Sequence, residues 1–377
     1  EESRLGLSSE EFYRLGYAYP DQPNRRPFSL TALAIRVSSV FNGVSKLHAD
    51  VTQKTWGHLR TAPQSGGTTV DHVTNGVHVL TWLGTDIRDL YERYIGSDWT
   101  NFWKNPDEWR RLVNVLPEEE IWDMHVAQKQ RLISFLKQRL LKMFSRHGQC
   151  PDDLRNWQDL INPNALCIGF ARRFAGYKRA GLIFNDFQRL KSICTNAERP
   201  VCIIFSGKAH PNDREGQDLI RHIFCIVKNS ELRGHVFFLE TYDMYVARRL
   251  VQGVDIWLNN PVRPMEASGT SGIKAAINGV LNLSIPDGWW CEGFNGENGW
   301  QVGDGTVFED PGHQAWVDAG ALYEILEKQV VPLYFDRDKR NIPVGWVKRM
   351  KSALTSITHE FSTSRMVREY VEKIYCE

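Results

Sequence analysis

The chain has 377 residues, 42% hydrophobic and 24% charged, with a formal net charge of +1. That is enough for two domains with full cores, and the balanced charge excludes a bulk polyanion such as nucleic acid as the main partner. No apolar run is long enough to cross a membrane, and neither GxGxxG after a strand nor GxxxxGKS/T occurs, which disfavours nicotinamide dinucleotide and ATP.

Residues 29–56 carry Leu33, Val37, Val40, Val44 and Leu47 at helical spacing and predict a helical segment. Residues 70–83 hold a polar turn, Thr74-Asn75-Gly76, between short extended pieces. Residues 106–147, rich in Leu, Glu, Lys and Arg, predict one or two long helices broken near Pro117. His48 and His78 lie on apolar segments without metal-ligand spacing and read as structural. The seven cysteines, Cys150 among them, form no C-x-x-C pair, and Cys167, Cys202 and Cys225 sit in apolar runs. Neither a disulfide framework nor a metal site is expected, and a reducing cytoplasm is the expected compartment. Glu1-Glu2-Ser3 has no initiator methionine and no signal pattern, so the chain is expected to be trimmed or excised.

After Pro163 the pattern changes. Apolar runs at 165–170, 201–205, 236–239, 255–258 and 280–285 alternate with helical segments that include 179–194, 215–229 and 244–253. This alternation predicts an α/β fold, a parallel sheet covered by helices on both faces. Residues 321–377 read as helical again, and 365–375 as a docking helix.

A polar segment follows each predicted strand. The first contains Arg172, Arg173, Lys178 and Arg179, four cations within eight residues. Later come Ser206-Gly207-Lys208, then Glu240-Thr241-Tyr242-Asp243, then Asn259 to Lys274, then Asp287-Gly288-Trp289-Trp290. Ligands bind at the carboxyl ends of strands in open α/β sheets, so these segments are expected to crowd one edge. Within them, the run Glu266-Ala267-Ser268-Gly269-Thr270-Ser271-Gly272-Ile273-Lys274 opens an expected helical segment, 275–281, with Lys274 in the first helical turn. Small residues before a helix offer free N–H groups and a hydroxyl, which makes an anion site, most simply for phosphate. A lysine there can hold a phosphate electrostatically or form an imine with an aldehyde cofactor such as pyridoxal phosphate. Glu266 can accept from sugar hydroxyls or serve the helix N-terminus, and Asp287 reads equally as a turn residue or a ligand contact.

Together these residues resemble the α-glucan phosphorylases, the family of glycogen, starch and maltodextrin phosphorylases. The resemblance rests on Glu266 to Thr270 with Lys274, on Asn278-Gly279, and on Arg173 with Tyr177-Lys178-Arg179. Gly207-Lys208-Ala209, Tyr242, Asn42-Gly43-Val44 to His48 and Thr74-Asn75-Gly76 also match. Asn42 to His48 and Asn259-Asn260-Pro261 point to the shorter bacterial and archaeal branch.

The resemblance implies GT-B architecture, two Rossmann-like domains facing a cleft. Residues 1–115 would be a remnant of the N-terminal domain, and 116–377 the complete C-terminal, cofactor-binding domain with its closing helices. It implies phosphorolysis of α-1,4-glucan by inorganic phosphate to glucose 1-phosphate, with retention. Lys274 would carry pyridoxal phosphate as an imine, and Gly269, Thr270, Ser271, Arg172 and Tyr242 would hold the cofactor. Arg173 and Lys178 would bind the substrate phosphate. Glu266, Tyr177, Ser268 and Gly269 would surround the glucosyl unit. A homo-oligomer stays open, and no nucleic acid, membrane or metal is expected.

Three positions depart from the family pattern. Ser39 stands where many relatives have a sugar-contacting histidine, Asp243 where many have an arginine near the cofactor, and Gly272 in place of a common asparagine. The chain is expected to lack the family's long N-terminal region. Two rival readings follow, a GT-B transferase using a nucleotide sugar and a non-catalytic fragment. Against the first, the position where such retaining transferases carry a second glutamate is here Lys274.

Overall fold

The computed structural model describes residues 6–19, 27–59, 70–149, 160–229 and 231–376. Cys150 lies outside the described residues. Six parallel strands form one sheet: β1 (Leu166–Arg173), β2 (Val201–Lys208), β3 (Val236–Leu239), β4 (Ile256–Asn259), β5 (Leu281–Ser284) and β6 (Gly299–Gln301). Their order is β3-β2-β1-β4-β5-β6. The chain builds outward from β1, then returns to lay β4 on its other side, so β1 and β4 flank the switch point where such sheets bind ligands. The first six residues of β1 are all buried, as expected of a strand covered on both faces.

The five predicted strands correspond to β1–β5. β6 was not expected, because three residues beginning with glycine are too few to display a period. The helices at 106–147 appear as Pro106–Asn114 and Glu118–Arg146, interrupted at Pro117 as expected. Three glutamates open the longer helix and an arginine closes it, each charge opposing the local end of the helix dipole.

Four local expectations need correction. Residues 29–56 form two helices, Leu30–Val37 and Lys46–Trp56, each started by its own serine cap, Ser29 and Ser45. Val40 and Val44 fall in the break, where Gly43 bridges His72. Within 70–83 the extended pieces reduce to single bridges at His72 and Val77, and Val79–Trp82 is a short helix. The segment 179–194 is α-helical only from Phe187, under the Asp186 cap; Arg179 turns left-handed at φ 48° and only a single 3-10 turn, Leu182–Phe184, lies between. The helix holding Lys274 is just Ser271–Ala276; Gly279, at φ 81°, turns the chain into β5 before residue 281.

The C-terminal helix Thr363–Tyr370 does dock. Buried Arg365 donates through Nη2 to the carbonyl of Thr74 at 2.7 Å, and Val77 and Thr363 pair their backbones. The main core runs from Val77 to Phe361 through sheet and helices, and a small second cluster joins Ala32, Ile35 and Leu59. Among the described residues no helix is long and apolar enough to cross a membrane.

At the amino ends of β1 and β4 lies a buried polar cluster. Asp255 accepts from Lys129 Nζ at 2.6 Å and from the Cys167 N–H at 2.7 Å, and its other oxygen meets His125 Nε2 at 2.8 Å. Lys129 also donates to the Ala165 carbonyl and the Tyr334 hydroxyl. This cluster ties the Glu118–Arg146 helix to the sheet.

Candidate active site

β1 and β4 deliver the site from opposite sides of the switch point. β1 ends at Arg172-Arg173, and adjacent strand residues face opposite sides of a sheet. Arg172 turns inward, with its side chain only 9% exposed, and reaches Glu266 Oε2 at 3.5 Å and Ser271 Oγ at 3.4 Å. Lys178, on the one-turn helix Gly176–Lys178, donates to the same Glu266 oxygen. Two segments that are 88 residues or more apart in sequence thus converge on one carboxylate.

Burial pulls the Arg172 guanidinium below its ordinary value, against the opposing effect of Glu266 and of Tyr242 and Tyr177. Its Nε is buried without a partner among the described residues. Tyr242 sits beside it, with its hydroxyl 3.4 Å from the Ala171 carbonyl, and burial raises that phenol.

The Glu266 loop is built from small residues for steric reasons. Gly269 has φ 74°, which a side chain would resist. A Cβ at Gly272 would lie 2.3 Å from Asn282 Oδ1, so an asparagine in its place requires the Asn282 side chain to shift. Thr270 stands at the helix N-cap without making a side-chain cap bond, so among the described residues its hydroxyl leaves the first-turn N–H groups uncapped. The Ser271 hydroxyl receives both Arg172 and the indole N–H of Trp257.

Lys274 lies one turn further on. Its Nζ sits 4.0 Å from the centre of the Trp82 ring and has no hydrogen-bond or ion-pair partner among the described residues. Burial lowers this amine below the usual lysine value. Asn278 sets the pairing with Trp82: its Oδ1 takes the Gly84 N–H, and its Nδ2 donates to the carbonyls of Trp82 and Lys274.

The structure therefore joins Arg172, Lys178, Glu266 and Ser271 directly, with Tyr242, Thr270 and Gly269 around them. Tyr177 lies under Lys178, its ring 4.5 Å from Nζ, and Ser268 is buried within its own turn. Arg173 is exposed on the other face of β1 and does not touch this cluster. Arg179 is structural, bonded to the Asn260 and Pro261 carbonyls and paired with Asp318. Asp243, the departure from the family pattern, caps the helix Met244–Gly253. His48 accepts the Val44 N–H and His78 meets Thr81, so both are structural here. Sequence reasoning missed Trp82, although a tryptophan six residues after the Thr74-Asn75-Gly76 segment gave a position to examine.

The chain also resembles known proteins. A family model described as carbohydrate phosphorylase matches residues 20–303. The chain is 44% identical over 370 residues to a glycogen phosphorylase of Aquifex aeolicus, covering 98% of this chain and 52% of that protein. It is 45% identical over 370 residues to a maltodextrin phosphorylase of Thermococcus litoralis, covering 98% of this chain and 42% of that one. The chain belongs to the carbohydrate phosphorylase family. It spans about half the length of the curated relatives it matches.

Proposed function

We propose that this chain carries the cofactor and phosphate machinery of an α-1,4-glucan phosphorylase, an enzyme that releases glucose 1-phosphate using inorganic phosphate, with retention. The proposal includes pyridoxal phosphate at Lys274, a GT-B arrangement in which 1–115 and 116–377 belong to two facing domains, and action in the cytoplasm. The observation that carries it is Lys274. A cation–π contact is worth about 0.5–2 kcal/mol, too little to account for a half-buried amine beside an open anion cradle. An amine with a lowered pKa is more often neutral, and so more nucleophilic toward an aldehyde.

The residues fit that cofactor. Lys274 would anchor its aldehyde end, while Thr270, the N–H groups of Ser271 and Gly272, and Arg172 would hold its phosphate; Tyr242 backs Arg172. When bound, pyridoxal phosphate supplies a phosphate that can exchange a proton with the substrate phosphate. Lys178 and Arg173 would bind that inorganic phosphate, since two anions side by side need flanking cations. Arg173 would have to turn toward the site to do so. Glu266 would accept from glucosyl hydroxyls and stabilise developing positive charge, with Tyr177, Ser268 and Gly269 shaping the sugar pocket. An entering phosphate would compete with Glu266 for Lys178, freeing the carboxylate for the sugar.

The test is borohydride reduction of the protein after incubation with pyridoxal phosphate, followed by peptide mass spectrometry. A reduced adduct on the Lys274 peptide, absent in Lys274→Ala, is the expected result, together with glucose 1-phosphate formed from maltodextrin and phosphate. A folded protein with no adduct overturns the proposal, and tight UDP- or ADP-glucose binding would then favour the nucleotide-sugar reading. An adduct without turnover would leave a cofactor-binding chain that is not itself catalytic.

A further inference from the structure

The Glu266–Gly269 loop is gripped by its backbone from several directions. Asp287 Oδ2 accepts the Glu266 N–H at 2.9 Å. Ser45 Oγ donates to the Ala267 carbonyl at 2.6 Å, and the Trp289 N–H donates to the Ser268 carbonyl at 2.9 Å. Gly288, at φ 53°, comes so close that a Cβ would lie 2.2 Å from the Ser268 oxygen. The turn after β5 is therefore moulded onto the loop after β4.

Asp287 is the costly member of this arrangement. It is fully buried and, among the described residues, makes no ion pair. Its Oδ1 accepts the Gly288 N–H at 2.9 Å, so both oxygens serve backbone donors. An unpaired buried carboxylate is expensive, and a turn alone would be satisfied by a neutral asparagine. We propose that Asp287 is a positioning residue, fixing the direction in which Glu266 presents its carboxylate to Arg172, Lys178 and the sugar. This rests on the reading of Glu266 as the sugar-facing group.

Burial pushes the Asp287 carboxyl up to about 6. The N–H bonds from Glu266 and Gly288 oppose the rise, the Glu266 charge adds to it, and Arg263 opposes it. The Cys291 thiol, on the short helix Trp290–Gly293, is near enough to feel the Asp287 charge. Below about pH 6 the carboxyl protonates and holds the two N–H groups less firmly.

The experiment uses the full chain, wild type and Asp287→Asn, with glucose as a probe that does not itself titrate. Calorimetry at pH 7.5 and 5.5 reads glucose affinity, and hydrogen exchange at pH 7.5 reads the Glu266 amide. The variant keeps one acceptor oxygen and turns an NH₂ toward a backbone N–H. Its Glu266 amide should exchange faster while the sheet is unchanged, and glucose should bind about tenfold more weakly. Wild-type affinity should fall between pH 7.5 and 5.5, and variant affinity should not. Unchanged Glu266 exchange, or a wild-type affinity that is flat with pH, overturns the proposal; the second readout needs no variant. If wild type binds no glucose, the sugar-facing reading of Glu266 fails, and the exchange result alone decides whether Asp287 holds the loop.

Discussion

Two buried charge clusters sit at opposite ends of β1 and β4, and they are built differently. At the amino ends, Asp255 and Lys129 are closed on each other and on the Ala165 carbonyl, the Cys167 N–H, His125 and Tyr334. Among these side-chain atoms and the other described residues, only His125 Nδ1 lacks a partner there. At the carboxyl ends, Arg172 and Lys178 share one oxygen of Glu266; among the described residues Arg172 Nε is unpartnered and the Lys274 amine meets the Trp82 ring without a hydrogen bond or ion pair. A satisfied buried network holds elements together, and an added ligand gains nothing from it. An unsatisfied one is costly until something fills it. The same two strands thus carry a closed polar end and an open one, where the proposed site lies.

Lys129→Met gives the largest expected effect on stability, about 3–5 kcal/mol lost, because Asp255 stays buried without its main cation. Burial alone would raise the Asp255 carboxyl, but Lys129 and His125 outweigh it and hold it below the ordinary value. In wild type, therefore, its contribution is present above the unfolded carboxylate pKa and is lost as pH falls through the lower folded value. In the variant the sign reverses. The carboxyl rises, so the deficit should be largest at neutral pH and shrink as acid protonates Asp255. Urea unfolding at pH 7 and pH 4.5 checks this; an equal deficit at both would break the contrast between the two ends.

Arg173→Ala should do the opposite. Its side chain is exposed and outside the closed cluster, so the melting temperature should move little. Phosphate-dependent turnover should drop about 10²-fold or more while the Lys274 adduct still forms. Full activity in this variant would remove Arg173 from the phosphate site. The smallest effect is expected at the surface, where Arg131 pairs with Asp86 at 2.5 Å and is half exposed. Arg131→Ala should cost at most about 1 kcal/mol, and less in high salt, by the same urea measurement. A larger loss would mean that exposed pairs also brace the Glu118–Arg146 helix.

Much of this was legible beforehand, for identifiable reasons. β1 to β5 were visible because strands buried on both faces read as unbroken apolar runs. The convergence of Arg172, Lys178 and Glu266 followed from the rule that parallel strands present their following loops on one edge. Errors clustered where capping beat periodicity: Ser45 and Asp186 each began a helix later than the apolar spacing suggested. The short helix at Lys274 was overextended because Ala275, Ala276 and Ile277 are good helix residues, while Gly279 ends it through backbone conformation.

The linear order of residues determined the sheet, the family and the make-up of the candidate anion loop with its lysine, since local composition and period act over a few residues. Tertiary structure alone decided that Lys274 lies on Trp82 and that Asp287 lies beneath Glu266. These relations join residues 21 to 192 positions apart. They depend on strand order, register and the filling of space, which no short window of sequence encodes.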